Sequence, residues 1–301
     1  MMTNRFTAFP PMFIALALLL SSCLSDIRSD LVRQEPLKAT HVAKGKHLLT
    51  EAWKAQGLDK LSAHEVYSFE GVDVWKGLLG KTGKVWPDNE SRLSFKYAVG
   101  TFDSQVSFLD GKRKGTTAGL QSWRYYEQEP GSTLNFLDKN NERITFGLAA
   151  YQYFVEMVDR LRKAPIIQYA GMEELHNKEY ETVFVTWKQT KPSKDLDQYI
   201  VYIDPQSKQV DFVKFTIREN YLHAPGGKMT WGMIHYDDFR SIDGIRIPHR
   251  QSLYSFGVKK DLEKYLHRME IENFSFDSFD KNILYPDPDI QSIGNSKQVS
   301  D

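Results

Sequence analysis

From Leu93 to Phe274, apolar and polar residues alternate in short runs, and turn-forming residues punctuate them. A period of two sends successive side chains to opposite faces of a strand, so a chain patterned this way is committed to a sheet with one face on a core. Leu93, Phe95 and Tyr97 alternate with Arg92, Ser94 and Lys96, and Val106 and Phe108 continue the theme up to the hairpin signal Asp110-Gly111. Further strands are predicted over residues 120–127, 133–137, 166–169, 181–189, 198–203, 210–218, 228–239, 245–256 and 264–274. Turns at Asp204-Pro205-Gln206-Ser207, Ala224-Pro225-Gly226-Gly227 and Asp243-Gly244 separate several of them. The 18 Phe and 15 Tyr suit this reading, because flat rings pack well on a pleated surface.

Two segments change period. Across residues 39–56, Val42, Leu48, Leu49 and Trp53 share a broad helical face, and Gly57 is placed to cap its C-terminal end. Across residues 141–163, Ile144, Leu148, Tyr151, Val155, Val158 and Leu161 recur at helical spacing until Pro165 stops the run. Short turns between strands, with helices set apart from them, predict an α+β fold with one long meandering antiparallel sheet.

The N-terminus predicts export. A short start with one basic residue, Arg5, leads into an apolar run from Met12 to Leu20. That run is about nine residues, whereas a membrane-spanning helix needs about 20, so it reads as a secretion signal. It ends in Leu20-Ser21-Ser22-Cys23, which matches the bacterial lipobox: an aliphatic residue, two small residues, then the cysteine that receives diacylglycerol before cleavage. Cys23 is the chain's single cysteine, so no internal disulfide forms in an oxidising compartment, and acylation accounts for the lone thiol. Residues 1–22 are therefore expected to be a signal peptide, 23–37 a lipid-anchored tether, 38–283 the folded domain and 284–301 a loose tail. The residue after the cysteine is Leu24; by resemblance to enterobacterial lipoproteins, in which an aspartate there implies retention in the inner membrane, this implies the outer membrane facing the periplasm.

Charge excludes one class of partner. Lysine plus arginine equals aspartate plus glutamate, 39 against 39, and the densest basic block is Lys112-Arg113-Lys114. Nothing here builds the field that nucleic-acid binding needs.

Local wording resembles the bacterial lipoprotein-carrier superfamily (LolA/LolB-like), in an uncharacterised branch of outer-membrane lipoproteins. The stretch Asp197-Gln198-Tyr199-Ile200-Val201-Tyr202-Ile203-Asp204 followed by Lys208-Gln209-Val210 is similar to a strand-turn-strand of that family. So are Tyr236-Asp237-Asp238-Phe239 before Asp243-Gly244-Ile245-Arg246-Ile247-Pro248, and Phe108-Leu109-Asp110-Gly111 before Trp123-Arg124-Tyr125. The resemblance covers roughly residues 40 to 275. It implies a strongly curved antiparallel half-barrel of about ten or eleven strands, with helices over its open side and an apolar cavity between the layers. Alternation nominates Leu93, Phe95, Tyr97, Phe108, Trp123, Tyr125, Val213, Phe215, Ile217, Trp231 and Met233 as inward-facing residues of that cavity. Whether their space is open or filled is not decided by alternation, since interiors normally pack densely.

Catalytic signatures are sparse. The chain holds no glycine-rich phosphate loop, His-Glu-x-x-His helix or Gly-x-Ser-x-Gly elbow. The best constellation is His235, Asp237, Asp238 and His249, which a hairpin over residues 228–256 could gather into a metal or hydrolytic site. The six tryptophans are expected to be core anchors rather than a sugar platform. The leading expectation is a non-enzymatic, cofactor-free, lipid-anchored protein that holds an acyl chain, lipid or lipoprotein. The alternatives are an envelope enzyme centred on His235, Asp237 and His249, and an interaction lipoprotein with a filled core.

Overall fold

A computed structural model describes residues 24–218, 230–258 and 260–291. At the middle of its sheet stands β1 (Val66–Trp75), a strand the alternation reading passes over. Its inward positions hold Tyr67, Phe69, Gly71, Asp73 and Trp75, while Val72 and Val74 point outward. A buried carboxylate and a glycine in the core-facing register mask the pattern.

On one side of β1 follow β2 (Glu90–Ala98), β3 (Ser104–Phe108), β4 (Thr117–Gln121), β5 (Arg124–Gln128) and β6 (Asn135–Phe136). On the other side stands β13 (His267–Phe276), then in descending order β12 (Ile245–Ser255), β11 (Trp231–Ile242), β10 (Val210–Thr216), β9 (Tyr199–Ile203), β8 (Lys178–Thr186) and β7 (Ile166–Leu175). The result is one curved, unclosed 13-stranded sheet in which every neighbouring pair is antiparallel. The expected half-barrel is present, with more strands than the ten or eleven read from the sequence.

The pairing of β1 with β13 joins the two ends of the strand series, leaving β6 and β7 as the edges. The chain passes from one edge to the other through α4 (Glu142–Val155) and α5 (Met157–Arg162). Asn141 caps α4 by accepting a hydrogen bond from the Ile144 N–H, and the single helix expected here breaks at Glu156. The helix α2 (Ala39–Ala55) ends as its sequence predicts, with Gly57 in the left-handed region at φ 72°. Gly45 lets α2 approach the β7 backbone closely: a Cβ there would stand 2.6 Å from the Tyr169 nitrogen. A short helix α3 (Gly77–Gly83) follows β1.

Both faces of the β7–β11 half are covered. Leu48, Leu49 and Ala52 of α2 and Ile144, Leu148 and Val155 of α4 join the inner cluster, with Val183, Val201, Val213 and Ile234 from the sheet. A second cluster on the outer face gathers Phe184, Ile200, Tyr202, Phe212 and Met233 beneath Ile27 and Val32. Val32 lies on α1 (Asp30–Gln34), so the described part of the expected tether, from residue 24, is instead folded onto the sheet. Burying Ile27 and Val32 stabilises this arrangement by about 1.5–3 kcal/mol each. Gln168, fully buried, fastens the crossing of the β7 edge: its Nε2 donates to the Glu35 carbonyl and its Oε1 accepts from the Leu37 N–H. The start of the expected loose tail is pinned as well. Leu284 is fully buried, Tyr285 Oη donates to Asp103, and Gln121 Nε2 donates to the Asp287 carbonyl.

Gly45→Val drives two methyl groups into the backbone of β7. It is expected to lower stability by about 2 kcal/mol, since overpacking outweighs the gain in helix propensity. A lower midpoint of urea unfolding checks this; an unchanged midpoint would show that α2 does not rest on β7 through this glycine.

Candidate functional site: an aromatic cavity beside helix α4

Helix α4 carries two apolar stripes. One, Ile144, Leu148, Tyr151 and Val155, is buried in the core as its spacing predicts. The other, Phe146, Ala149, Ala150 and Tyr153, also recurs at helical spacing and, with Met157 of α5, lines a cavity of about 450 Å³. Facing it are Tyr199, Phe215, Thr216 and Ile217 from the ends of β9 and β10, and Phe102 and Trp123 from two turns. Ring contacts tie these walls together: Tyr153 to Tyr199 at 6.0 Å, Tyr199 to Phe215 at 6.2 Å, and Phe102 to Trp123 at 4.9 Å.

Trp123 reaches this place through an unusual backbone. Ser122 and Trp123 form the two-residue turn between β4 and β5 with φ of 51° and 65°. Neither is glycine, so the left-handed conformation costs about 1–2 kcal/mol per residue. The Asp103 carboxylate accepts the Ser122 N–H at 2.6 Å and holds the turn. Strain retained in this way directs the indole into the cavity wall.

Polar groups are few and specific. Thr216 Oγ1 donates to the Asp197 carboxylate at 2.9 Å and accepts from the Gln198 N–H at 2.9 Å. Thr145 also lines the cavity, with its Oγ1 buried and without a hydrogen-bond partner among the described residues. Burial pushes the Tyr153 and Tyr199 hydroxyls far above their ordinary range, so both stay protonated at every physiological pH. Asn140 and Glu142 stand exposed at the mouth.

Of the residues nominated by alternation, Trp123, Phe215 and Ile217 line the cavity. Leu93, Phe95, Tyr97, Phe108, Tyr125 and Val213 face the same interior but are packed into the core and do not line it. Trp231 and Met233 lie on the opposite face, against the outer cluster. Met233 pairs with Lys214 and Gly232 with Phe215, so the inward register of β11 belongs to Gly232, Ile234 and Tyr236. Both faces of this strand are apolar because both are covered, and alternation then gives no direction. Cys23 and the signal segment lie outside the described residues.

The metal or hydrolytic constellation does not assemble. His235 pairs with Ser252 and Asp237 with Arg250 on the outer face, whereas His249 occupies the intervening, inward register. His235 stacks on Phe212 at 4.4 Å, and His249 Nδ1 sits 3.0 Å from the Ile247 carbonyl. Among the described residues no group of three or more His, Cys, Asp or Glu could hold a metal ion.

No family model matches the chain, and no curated protein matches it. The chain is similar to a solved structure of a DUF1329 family protein from Desulfovibrio piger, with a TM-score of 0.49 and 12% identity over 81% of this chain and 96% of that one. It is also similar to a LolA superfamily protein from Nitrosomonas europaea, with a TM-score of 0.49 and 11% identity over 80% of this chain and 96% of that one.

Burial pushes the His235 and His249 imidazoles below their ordinary value of 6.5. The unfolded chain then binds protons more readily than the folded one, so stability is lost as pH falls below about 6.5. His235→Phe keeps the stack on Phe212 and removes the titration. Unfolding free energy should therefore drop less between about pH 7 and pH 5 in the variant than in the parent, by up to about 1.4 kcal/mol per pH unit. An identical drop in both would contradict the assignment to His235.

Proposed function

We propose that this chain is a lipid-anchored protein of the bacterial cell envelope that holds a hydrophobic ligand, an acyl chain or the lipid or lipoprotein bearing it, between α4 and the β9–β10 end of its sheet. The observation that carries the reading is the cavity itself. Its volume of about 450 Å³ falls in the usual range for small-molecule sites, roughly 300–1,000 Å³. Its walls are mainly aromatic and aliphatic, and the exposed Asn140 and Glu142 at its mouth are placed to meet a ligand's polar head. Each methylene taken from water into such a space contributes about 0.8 kcal/mol, enough for an alkyl chain to outweigh the cost of its own ordering.

The anchor belongs to the same reading. No helix among the described residues is long and apolar enough to cross a membrane. Attachment is assigned to diacylglycerol on Cys23, and the multiple acyl chains of a bacterial lipoprotein hold stably where a single one does not. The activity proposed is binding rather than catalysis.

Residues 24–301, directed to the export compartment and purified, are expected to carry an apolar ligand visible in native mass spectrometry and in an organic extract. Ala149→Trp fills the cavity from the α4 side. It should cut uptake of a fluorescent fatty acid at least tenfold, a loss of about 1.4 kcal/mol or more, with little change in unfolding midpoint. A clean ligand-free mass, together with uptake equal in parent and variant, would overturn the proposal.

A further inference from the structure

The segment that follows the acylation site is fastened without slack. Arg218 donates from Nη2 to the Ser25 carbonyl at 2.7 Å and from Nη1 to its hydroxyl at 3.1 Å, and Ser25 Oγ lies 3.2 Å from the Thr230 carbonyl. Two residues on, the Ile27 N–H donates to Gln198 Oε1 while its side chain is 5% exposed. Ser25 is thereby fixed at the ends of β10 and β11. Only Leu24 separates it from Cys23, and two extended residues reach no more than roughly 7 Å. A lipid on Cys23 therefore holds this rim of the sheet at the membrane surface, with no tether to let it swing away.

What the rim presents is suited to that contact. Phe256, just beyond β12, is 54% exposed and sits edge-on to Trp231 at 6.1 Å. Further along, beyond β13, the Lys76 N–H donates to the Leu266 carbonyl and the chain enters α3. There Leu78 is 78% and Leu79 60% exposed. Strands lie about 4.8 Å apart, so β10 and β1 are roughly 20 Å apart along the rim. Lys188, Lys191 and Lys194 stand exposed in the connection that enters β9 at the same end. Exposed Leu and Phe on a rim that also carries exposed lysines is the composition of a surface that rests among lipid headgroups. The cavity shares this rim: Ile217 in its wall adjoins Arg218, and Asp197 adjoins Gln198.

We propose that in the acylated protein the β9–β13 rim and α3 lie against the bilayer, bringing the β9–β10 wall of the cavity to the membrane, so that the ligand passes directly between cavity and bilayer. This rests on the reading of a lipid-anchored, ligand-holding protein and adds its orientation and its source of ligand. The occupant of the exposed apolar rim is a lipid surface, because the acylated Cys23 immediately precedes Leu24 and Ser25, and Ser25 is fixed at that rim.

The test uses the full acylated lipoprotein in vesicles of phosphatidylethanolamine and phosphatidylglycerol. The Cys23 sulfur is consumed in its thioether, so Leu78→Cys, Phe256→Cys and Met172→Cys each offer one thiol for an environment-sensitive dye. Met172, 48% exposed on β7 toward the far end of the sheet, is the control. Dyes at 78 and 256 should shift to the blue and lose most of their emission to lipid-borne quenchers, and the dye at 172 should not. A flexible insertion between Leu24 and Ser25 should relieve that quenching. Equal quenching at all three positions, or none, in a protein whose N-terminal peptide carries the acyl mass would overturn the orientation alone. Fatty-acid uptake by residues 24–301 reports the ligand reading separately. Absence of the acyl mass would overturn the anchor, and the orientation with it.

Discussion

Asp73, buried to zero exposure in the middle of the sheet, fixes where the helical layer stands. Its carboxylate accepts from Trp75 Nε1 at 2.9 Å and from the Tyr151 hydroxyl at 2.8 Å, and it contacts His267 Nε2 on β13. Tyr151 Oη lies 2.7 Å from the same His267 nitrogen. A carboxylate only accepts, and burial with the neighbouring Asp73 charge holds the Tyr151 proton firmly in place. Nε2 therefore carries the imidazole proton, and every member of the network has a partner. Gln152 adds a second tie, donating to the Ala98 carbonyl at 2.8 Å. Removing the carboxylate would leave two or three buried donors unmatched, each costing about 1–3 kcal/mol.

These ties act on one side of α4; on the other, the Tyr236 hydroxyl of β11 donates to the Phe154 carbonyl near the helix end at 3.1 Å. The helix is held tightly to β1, β2 and β13, where Phe95 packs on Tyr151 at 5.6 Å. Its second apolar stripe meets β9 and β10 through rings centred some 6 Å apart, with space between them. A helix clamped along the first flank and meeting β9 and β10 through ring contacts leaves a hollow there. The outer face of the same half-sheet is sealed by Ile27 and Val32, so that space opens between the helix and the sheet rather than through it.

Much of this was legible in the sequence because period and burial agree there. Leu93, Phe95 and Tyr97 alternate and are all fully buried; the core stripe of α4 and the Gly57 cap stand where spacing puts them. Legibility fails where a strand breaks the rule for a physical reason. On β1 the inward register holds Asp73, because a polar clamp outweighs an apolar contact there. On β11, Trp231 and Met233 mislead because two layers cover the strand. The stripe Phe146, Ala149, Tyr153 was visible as a second apolar face on a helix that needs only one. Residues 24–34 are polar enough to resemble a tether, and only long-range partners such as Gln198 and Arg218 show that they are bound.

The most direct test of the central claim is a crystal structure of residues 24–301 equilibrated with a long-chain fatty acid. The account predicts continuous acyl density running between Phe146 and Tyr153 on one side and Phe215 on the other, with α4 still tied to Asp73 through Tyr151. Acyl density confined to the outer surface, or α4 closed onto β10 with its rings filling the space, would contradict it.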